Sequence, residues 1–194
     1  MSRKADLRRT TSETNVEAIL DLDGTGSGQI STGLGFLDHM LTAWCKHSGF
    51  DLSLTATGDV AVDDHHTVED CAIVIGRVLD QALGDRAGIA RFGHAYAPLD
   101  ESLSRAVVDL SGRPWPEISI RFRREAIGDV ATENLVHFLR TLALEGRMAL
   151  HVDTIRGDND HHLAESAFKA LALALKTAVA GGGDLVPSTK GRLG

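Results

Sequence analysis

The feature that most limits how this chain can fold is that it repeats itself. The stretch DHHTVEDCAIVIGRVLDQAL, starting at Asp64, is answered by DNDHHLAESAFKALALALKTAV, starting at Asp158. Each carries two adjacent histidines, a glutamate three residues later and an apolar run at helical spacing; His161 follows His65 by 96 positions. Upstream, GFLDHMLTAWCKHSG is answered by ENLVHFLRTLALEG, with His39 and His137 nearly in register. Self-similarity over half a chain points to duplication of a supersecondary unit.

Between each upstream helix and its HHxxE lies an alternating segment, DLSLTATGD or MALHVDTIRGD, that suits a half-buried strand. Two more strands are read ahead of each first helix: NVEAILDLDG and GQISTGL in one half, and HAYAPLDESLSRAVVDLSG and WPEISIRF in the other. A turn is expected near Pro98, and a turn or bulge at Gly112 to Pro114. The expectation is an α+β fold of two fused strand-strand-helix-strand-helix halves, each a mixed four-stranded sheet with helices on one face. The halves divide as 1–90 and 91–181, joined near the glycines of LGDRAGIARFG, and 182–194 is a glycine-rich tail.

On a helix, successive residues turn by about 100°, so His65 and His66 diverge and suit two different ions. Glu69 projects between them and could join either. His39, His65, His66, His137, His161 and His162 are six of the nine histidines. With Glu69 and Glu165 they make eight candidate ligands, four for each of two metals. On an octahedral ion that leaves positions open for chemistry, and imidazole plus carboxylate suits Mn, Fe, Co, Ni or Zn.

A net charge of -7 disfavours sequence-independent nucleic-acid binding. The basic RKADLRR segment near the N-terminus reads as a solvated tail. Cys45 and Cys71 form no CxxC pair, the N-terminus lacks a signal-peptide core and no apolar run is long enough to span a membrane. The expectation is a cytoplasmic protein with no membrane or nucleic-acid partner.

The segments TSETNVEAILDLDGTG, STGLGFLDHML, VDDHHTVEDCAIVIG, YAPLDESLSRAVVDLSGRP, GDNDHHLAESAFKALA and PSTKG resemble, in order, imidazoleglycerol-phosphate dehydratase of histidine biosynthesis in its monofunctional form. The resemblance implies a duplicated fold of the ribosomal protein S5 domain 2 type. It implies dehydration of imidazole-glycerol phosphate to imidazole-acetol phosphate, two Mn²⁺ per active site, and a homo-oligomer of 24 subunits with active sites shared between protomers. One metal would take His39, His66, Glu69 and His161, the other His65, His137, His162 and Glu165. Glu13 is nominated as acid/base, and Arg91, Arg113, Lys169, Ser188 and Lys190, with His47 as a further contact, as phosphate ligands.

The implied chemistry explains the metals. The departing C–H is not beside a carbonyl, but a cation on the substrate imidazole lowers its N–H pKa. The resulting imidazolate can expel the adjacent hydroxyl to a diazafulvene-like intermediate, whose neighbouring C–H is acidic. The rival readings are a helix-bundle di-iron carboxylate protein and a non-catalytic dinuclear metal-binding protein.

Overall fold

The computed structural model describes residues 3–181 and Ser188. The first half runs β1 (Lys4–Thr10), β2 (Thr14–Asp21), β3 (Gly28–Ser31), α1 (Gly35–Ser48), β4 (Asp51–Gly58) and α2 (His65–Leu83). The second runs β5 (Phe92–Leu99), β6 (Ser102–Asp109), β7 (Trp115–Ser119), the short β8 (Ala126–Ile127) and β9 (Val130–Ala131), α3 (Thr132–Glu145), β10 (Ala149–Arg156) and α4 (Asp160–Ala178).

The two main sheets have the same order, β1-β2-β4-β3 and β5-β6-β10-β7. In each, the first three strands pair antiparallel and the last pair is parallel. This is the expected mixed α+β architecture, and its sheets exclude the helix-bundle rival. The alternation in β2 buries Val16, Ala18 and Leu20 while Glu17 and Ile19 face out, as a period of two requires when one face is covered.

The N-terminal basic segment is not a tail. Residues 4–10 form β1, an edge strand whose inward row is Ala5, Leu7 and Arg9. The charges at Lys4, Asp6 and Arg8 face out and mask the alternation. Arg9 points in because Asp70, buried on α2, receives its guanidinium at 2.5 Å. The turn placed near Pro98 falls instead at Asp100 and Glu101, where Asp100 has φ 46°. Pro98 sits within β5, opposite Leu103; β5 is an edge strand, where a missing N–H costs least.

The helices lie between the sheets and pair across the halves, α1 against α4 and α2 against α3. Phe138 and Phe168, ring centroids 5.7 Å apart, meet with Trp44, Leu41 and Ile75 in a single apolar core. The α2–α3 contact depends on Gly76: a Cβ there would lie 2.7 Å from the Glu145 Cβ and 2.9 Å from the Gly146 nitrogen.

Gly76→Ala should therefore destabilise the protein by about 1 kcal/mol or more, because overpacking costs outweigh the ~1 kcal/mol that alanine gains in a helix. Urea denaturation of the metal-free protein measures this, and a stabilised variant would refute the close-contact explanation.

Candidate metal centre

The four helices start at the same end of their layer, and carboxylates lace those starts together. Asp129, in the β8–β9 turn, accepts the backbone N–H groups of Gly35 (2.5 Å) and Phe36 (3.0 Å) at the head of α1. Asp64, just before α2, accepts from Ala131 N–H at 2.9 Å. Asp160, opening α4, accepts from the backbone N–H groups of Arg123 and Arg124. Donors at helix starts lack intrahelical partners, so a carboxylate there is well placed. The β8–β9 hairpin, which has no counterpart in the first half, fastens the ends that carry the histidines.

Two ligand clusters result. His39, His161 and Glu165 form one, and His65, Glu69 and His137 the other; within each, the ligand atoms all lie within 4.8 Å of one another. The Nε2 atoms of His39 and His161 are each 3.2 Å from Glu165 Oε2. His137 Nε2 lies 2.9 Å from Glu69 Oε1, and His65 Nε2 lies 3.9 Å from Glu69 Oε2. The rings of His65 and His137 stack with centroids 5.0 Å apart. Three converging donors of imidazole and carboxylate type fit a divalent transition metal with open positions.

Within one chain, each carboxylate stands beside the first histidine of its own HHxxE. Glu69 sides with His65 and His137, and Glu165 with His39 and His161. Helix geometry gives the reason, since a residue at i+4 is displaced by about 40° and one at i+3 by about 60°. Glu69 thus falls nearer His65 than His66, and Glu165 nearer His161 than His162.

His66 and His162 turn away, as their divergence from His65 and His161 requires. The rings of His65 and His66 are 79° apart, and those of His161 and His162 are 89° apart. Each is held at Nδ1 by a carboxylate, His66 by Asp59 (3.1 Å) and His162 by Glu101 (2.8 Å). His65 is held likewise: Asp64 fixes the amide of Asn134, whose oxygen takes the His65 Nδ1–H at 2.9 Å. A partner at Nδ1 that leaves Nε2 for an ion is the usual arrangement around metal-bound histidine; His162 Nε2 also stands 3.7 Å from the exposed Asp100 carboxylate. Asp59, Asn134 and Glu101 are not marked by the sequence because each hydrogen-bonds a candidate ligand without belonging to either cluster.

Asp59 raises the His66 pKa above its ordinary value, chiefly through their hydrogen bond, with burial opposing. Burial alone would resist ionisation of Glu165, yet Lys169 and His39 hold its carboxyl below the usual range. Lys169 Nζ is 2.6 Å from Glu165 Oε1, so this expected phosphate ligand stands against a candidate metal ligand. Burial and then Lys169 lower the pKa of His47, which lies near the end of α1.

The other expected phosphate ligands lie elsewhere. Arg91 grips Asp109 with two nitrogens (2.6 and 2.9 Å), and its backbone N–H bonds Ala178 at the far end of α4. Arg113 is exposed in the β6–β7 loop. Ser188 is half-buried, and Lys190 with the rest of 189–194 and 182–187 lies outside the described residues. Glu13 is exposed on the β1–β2 turn, with Oε2 3.9 Å from His66 Nδ1.

Residues 32–175 match the family profile described as imidazoleglycerol-phosphate dehydratase. The chain belongs to that family. It is 51% identical over 208 residues to the dehydratase of Candida glabrata, covering 97% of this chain and 99% of that one. It is 55% identical over 192 residues to the dehydratase of Phytophthora nicotianae, covering 98% of this chain but only 42% of that longer protein. The crystal structure of imidazoleglycerol-phosphate dehydratase from Staphylococcus aureus superposes with a TM-score of 0.84 at 38% identity, covering 92% of this chain and 99% of that one. Dehydratase family membership does not favour the reading as a non-catalytic metal-binding protein.

A metal can bind His66 only after displacing the proton that Asp59 favours. Metal affinity should therefore rise with pH through a midpoint above 6.5, the ordinary histidine value, and Asp59→Ala, which removes the carboxylate without placing a donor against Nδ1, should move that midpoint down. Calorimetric Mn²⁺ titrations from pH 6 to 8 read this directly, and a midpoint unmoved by the substitution contradicts it.

Proposed function

We propose that the chain is a hydro-lyase of histidine biosynthesis, converting imidazole-glycerol phosphate to imidazole-acetol phosphate at a site that holds two Mn²⁺ ions. The observation that carries this reading is the pair of clusters His39, His161, Glu165 and His65, Glu69, His137, each with its ligand atoms within 4.8 Å of one another. His66 and His162 serve as the fourth ligands. When bound, the ions supply charge withdrawal from the substrate ring, easing loss of its N–H proton.

The side chains perform the remaining steps. Expulsion of the hydroxyl next to the ring, which departs as water with the proton given up by the ring N–H, yields the diazafulvene-like intermediate. Glu13, on a turn beside His66 and with its side chain 52% exposed, takes the neighbouring C–H proton. The enol so formed tautomerises to the ketone. Arg91, Arg113, Lys169, Ser188 and Lys190 receive the phosphate, guanidinium being suited to bidentate contact, with His47 near Lys169 as a further contact.

These groups support an active site built from several protomers, within a large homo-oligomer such as the family's 24 subunits. Arg91 bonds the α4 end at Ala178, seventeen residues from His161, which is about 25 Å along a helix. One chain cannot bring that cation and its own histidines onto one small substrate. The outer sheet faces expose Ile19, Tyr96, Val107 and Trp115, apolar groups of the kind that mark association surfaces. No helix among the described residues is long and apolar enough to cross a membrane, and a cytoplasmic location fits a biosynthetic enzyme.

Metal-reconstituted protein should form the keto product from imidazole-glycerol phosphate, lose that activity on chelation and regain it with Mn²⁺. Protein loaded with two metals per chain that left the substrate intact would defeat the proposal. Glu13→Gln should keep its metals and lose turnover by roughly 10²- to 10⁴-fold, the usual worth of a positioned acid/base. A near-normal rate would remove Glu13 from the chemistry.

A further inference from the structure

The duplication reaches further than the histidines. ETNVEAILDLDG, starting at Glu13, and ESLSRAVVDLSG, starting at Glu101, align without a gap. Each glutamate sits on the turn of the first hairpin in its half, directly before β2 or β6, and those strands bury alternate residues in the same phase. Glu13 and Glu101 are thus equivalent positions. Both face Nδ1 of the second histidine in their own half's HHxxE, but at different distances. Glu101 Oε2 is 2.8 Å from His162, whereas Glu13 Oε2 is 3.9 Å from His66.

What separates them is a second pair of equivalents. Gly58-Asp59 and Gly157-Asp158 both lead from a strand toward HHxxE. Asp59 turns in and takes the His66 Nδ1, with oxygens at 3.2 and 3.1 Å. Asp158 turns out, 78% exposed, to Arg123 at 2.8 Å. Where the aspartate turns in, the glutamate stands off; where it turns out, the glutamate closes the gap.

The anchoring of the two glutamates follows the same division. Glu101 Oε1 accepts the backbone N–H groups of Asp158 (3.2 Å) and Asn159 (2.9 Å) and the hydroxyl of Ser102 (3.1 Å). Its other oxygen is left for His162. No hydrogen bond holds the carboxylate of Glu13 among the described residues, although its backbone N–H is tied to Thr11 Oγ1.

We propose that Glu101 is a positioning residue that keeps the His162 proton on Nδ1 and aims Nε2 at a metal, and that Asp59 has taken over the matching task for His66 from Glu13. The two copies of one hairpin glutamate have therefore divided their labour. The second-half copy is pinned and orients a ligand, while the first-half copy is unpinned and can move a proton. This rests on the two-metal reading given above, and it adds Glu101 and Asp59 to the groups that set metal affinity. A histidine whose second nitrogen loses its acceptor typically binds metal 10- to 100-fold more weakly.

Glu101→Gln separates orientation from mere support of the loop. The amide oxygen can still accept the Asp158 and Asn159 N–H groups, so the start of α4 stays capped. The amide NH₂ then faces His162 Nδ1 as a donor, which drives the ring proton to Nε2 and removes the ligand atom. Mn²⁺ titration of wild type, Glu101→Gln, Glu101→Ala and Glu13→Gln, beside urea denaturation of each metal-free protein, provides the test. Wild type should bind two ions per chain. Glu101→Gln should bind one of them about 10- to 100-fold more weakly with an unchanged denaturation midpoint, Glu101→Ala should weaken the same ion, and Glu13→Gln should bind both normally. Wild-type affinity for both ions in Glu101→Gln would overturn the proposal, as would equal weakening in Glu13→Gln. A wild-type protein that bound no Mn²⁺ would overturn the two-metal reading itself, before any variant is considered.

Discussion

Carboxylates at the heads of the helices hold the structure's working end together. Asp129 binds the N–H groups that open α1, Asp64 reaches from the head of α2 to Ala131, and Asp160 reaches from α4 to Arg123 and Arg124. Each joins backbone to side chain across long stretches of sequence. With the helix starts gathered at one end, histidines in the first two turns of each helix meet. A ligand cluster with a 4.8 Å spread depends on that registration, because an error of one residue along a helix shifts a side chain by 1.5 Å and turns it by about 100°.

Pairing across the halves gives the duplication a chemical use. His39 comes from the first half and meets His161 and Glu165 from the second; His65 and Glu69 come from the first and meet His137 from the second. Neither half contains a complete cluster. The close passage of α2 over α3 at Gly76 is the local expression of that dependence. The equivalent sheets outside the helices support the layer from both sides, and they leave Ile19, Tyr96, Val107 and Trp115 exposed.

Much of this was legible in the residues. The HHxxE repeat marked the duplication and the candidate ligands, and the alternation in β2, β4, β6 and β10 marked the sheets. Three things were hidden, each for a physical reason. β1 alternates charged with apolar residues, and the charge of Arg9 is answered only by the distant Asp70. Pro98 read as a turn because an edge strand can accept a proline that a central strand cannot. Asp59, Asn134 and Glu101 could be recognised only once the second nitrogen of each histidine had been traced to its partner.

The central claim is that each carboxylate joins the histidine four residues before it, together with one from the facing helix. A crystal structure of Mn²⁺-loaded protein, with the ions located by anomalous scattering, tests this most directly. One ion should be bound by Nε2 of His39 and His161 with Glu165, the other by Nε2 of His65 and His137 with Glu69, and His66 and His162 should reach ions of the assembly through Nε2. Glu69 on the ion that holds His39 and His161, or a histidine bound through Nδ1 at His65, His66 or His162, would contradict the account.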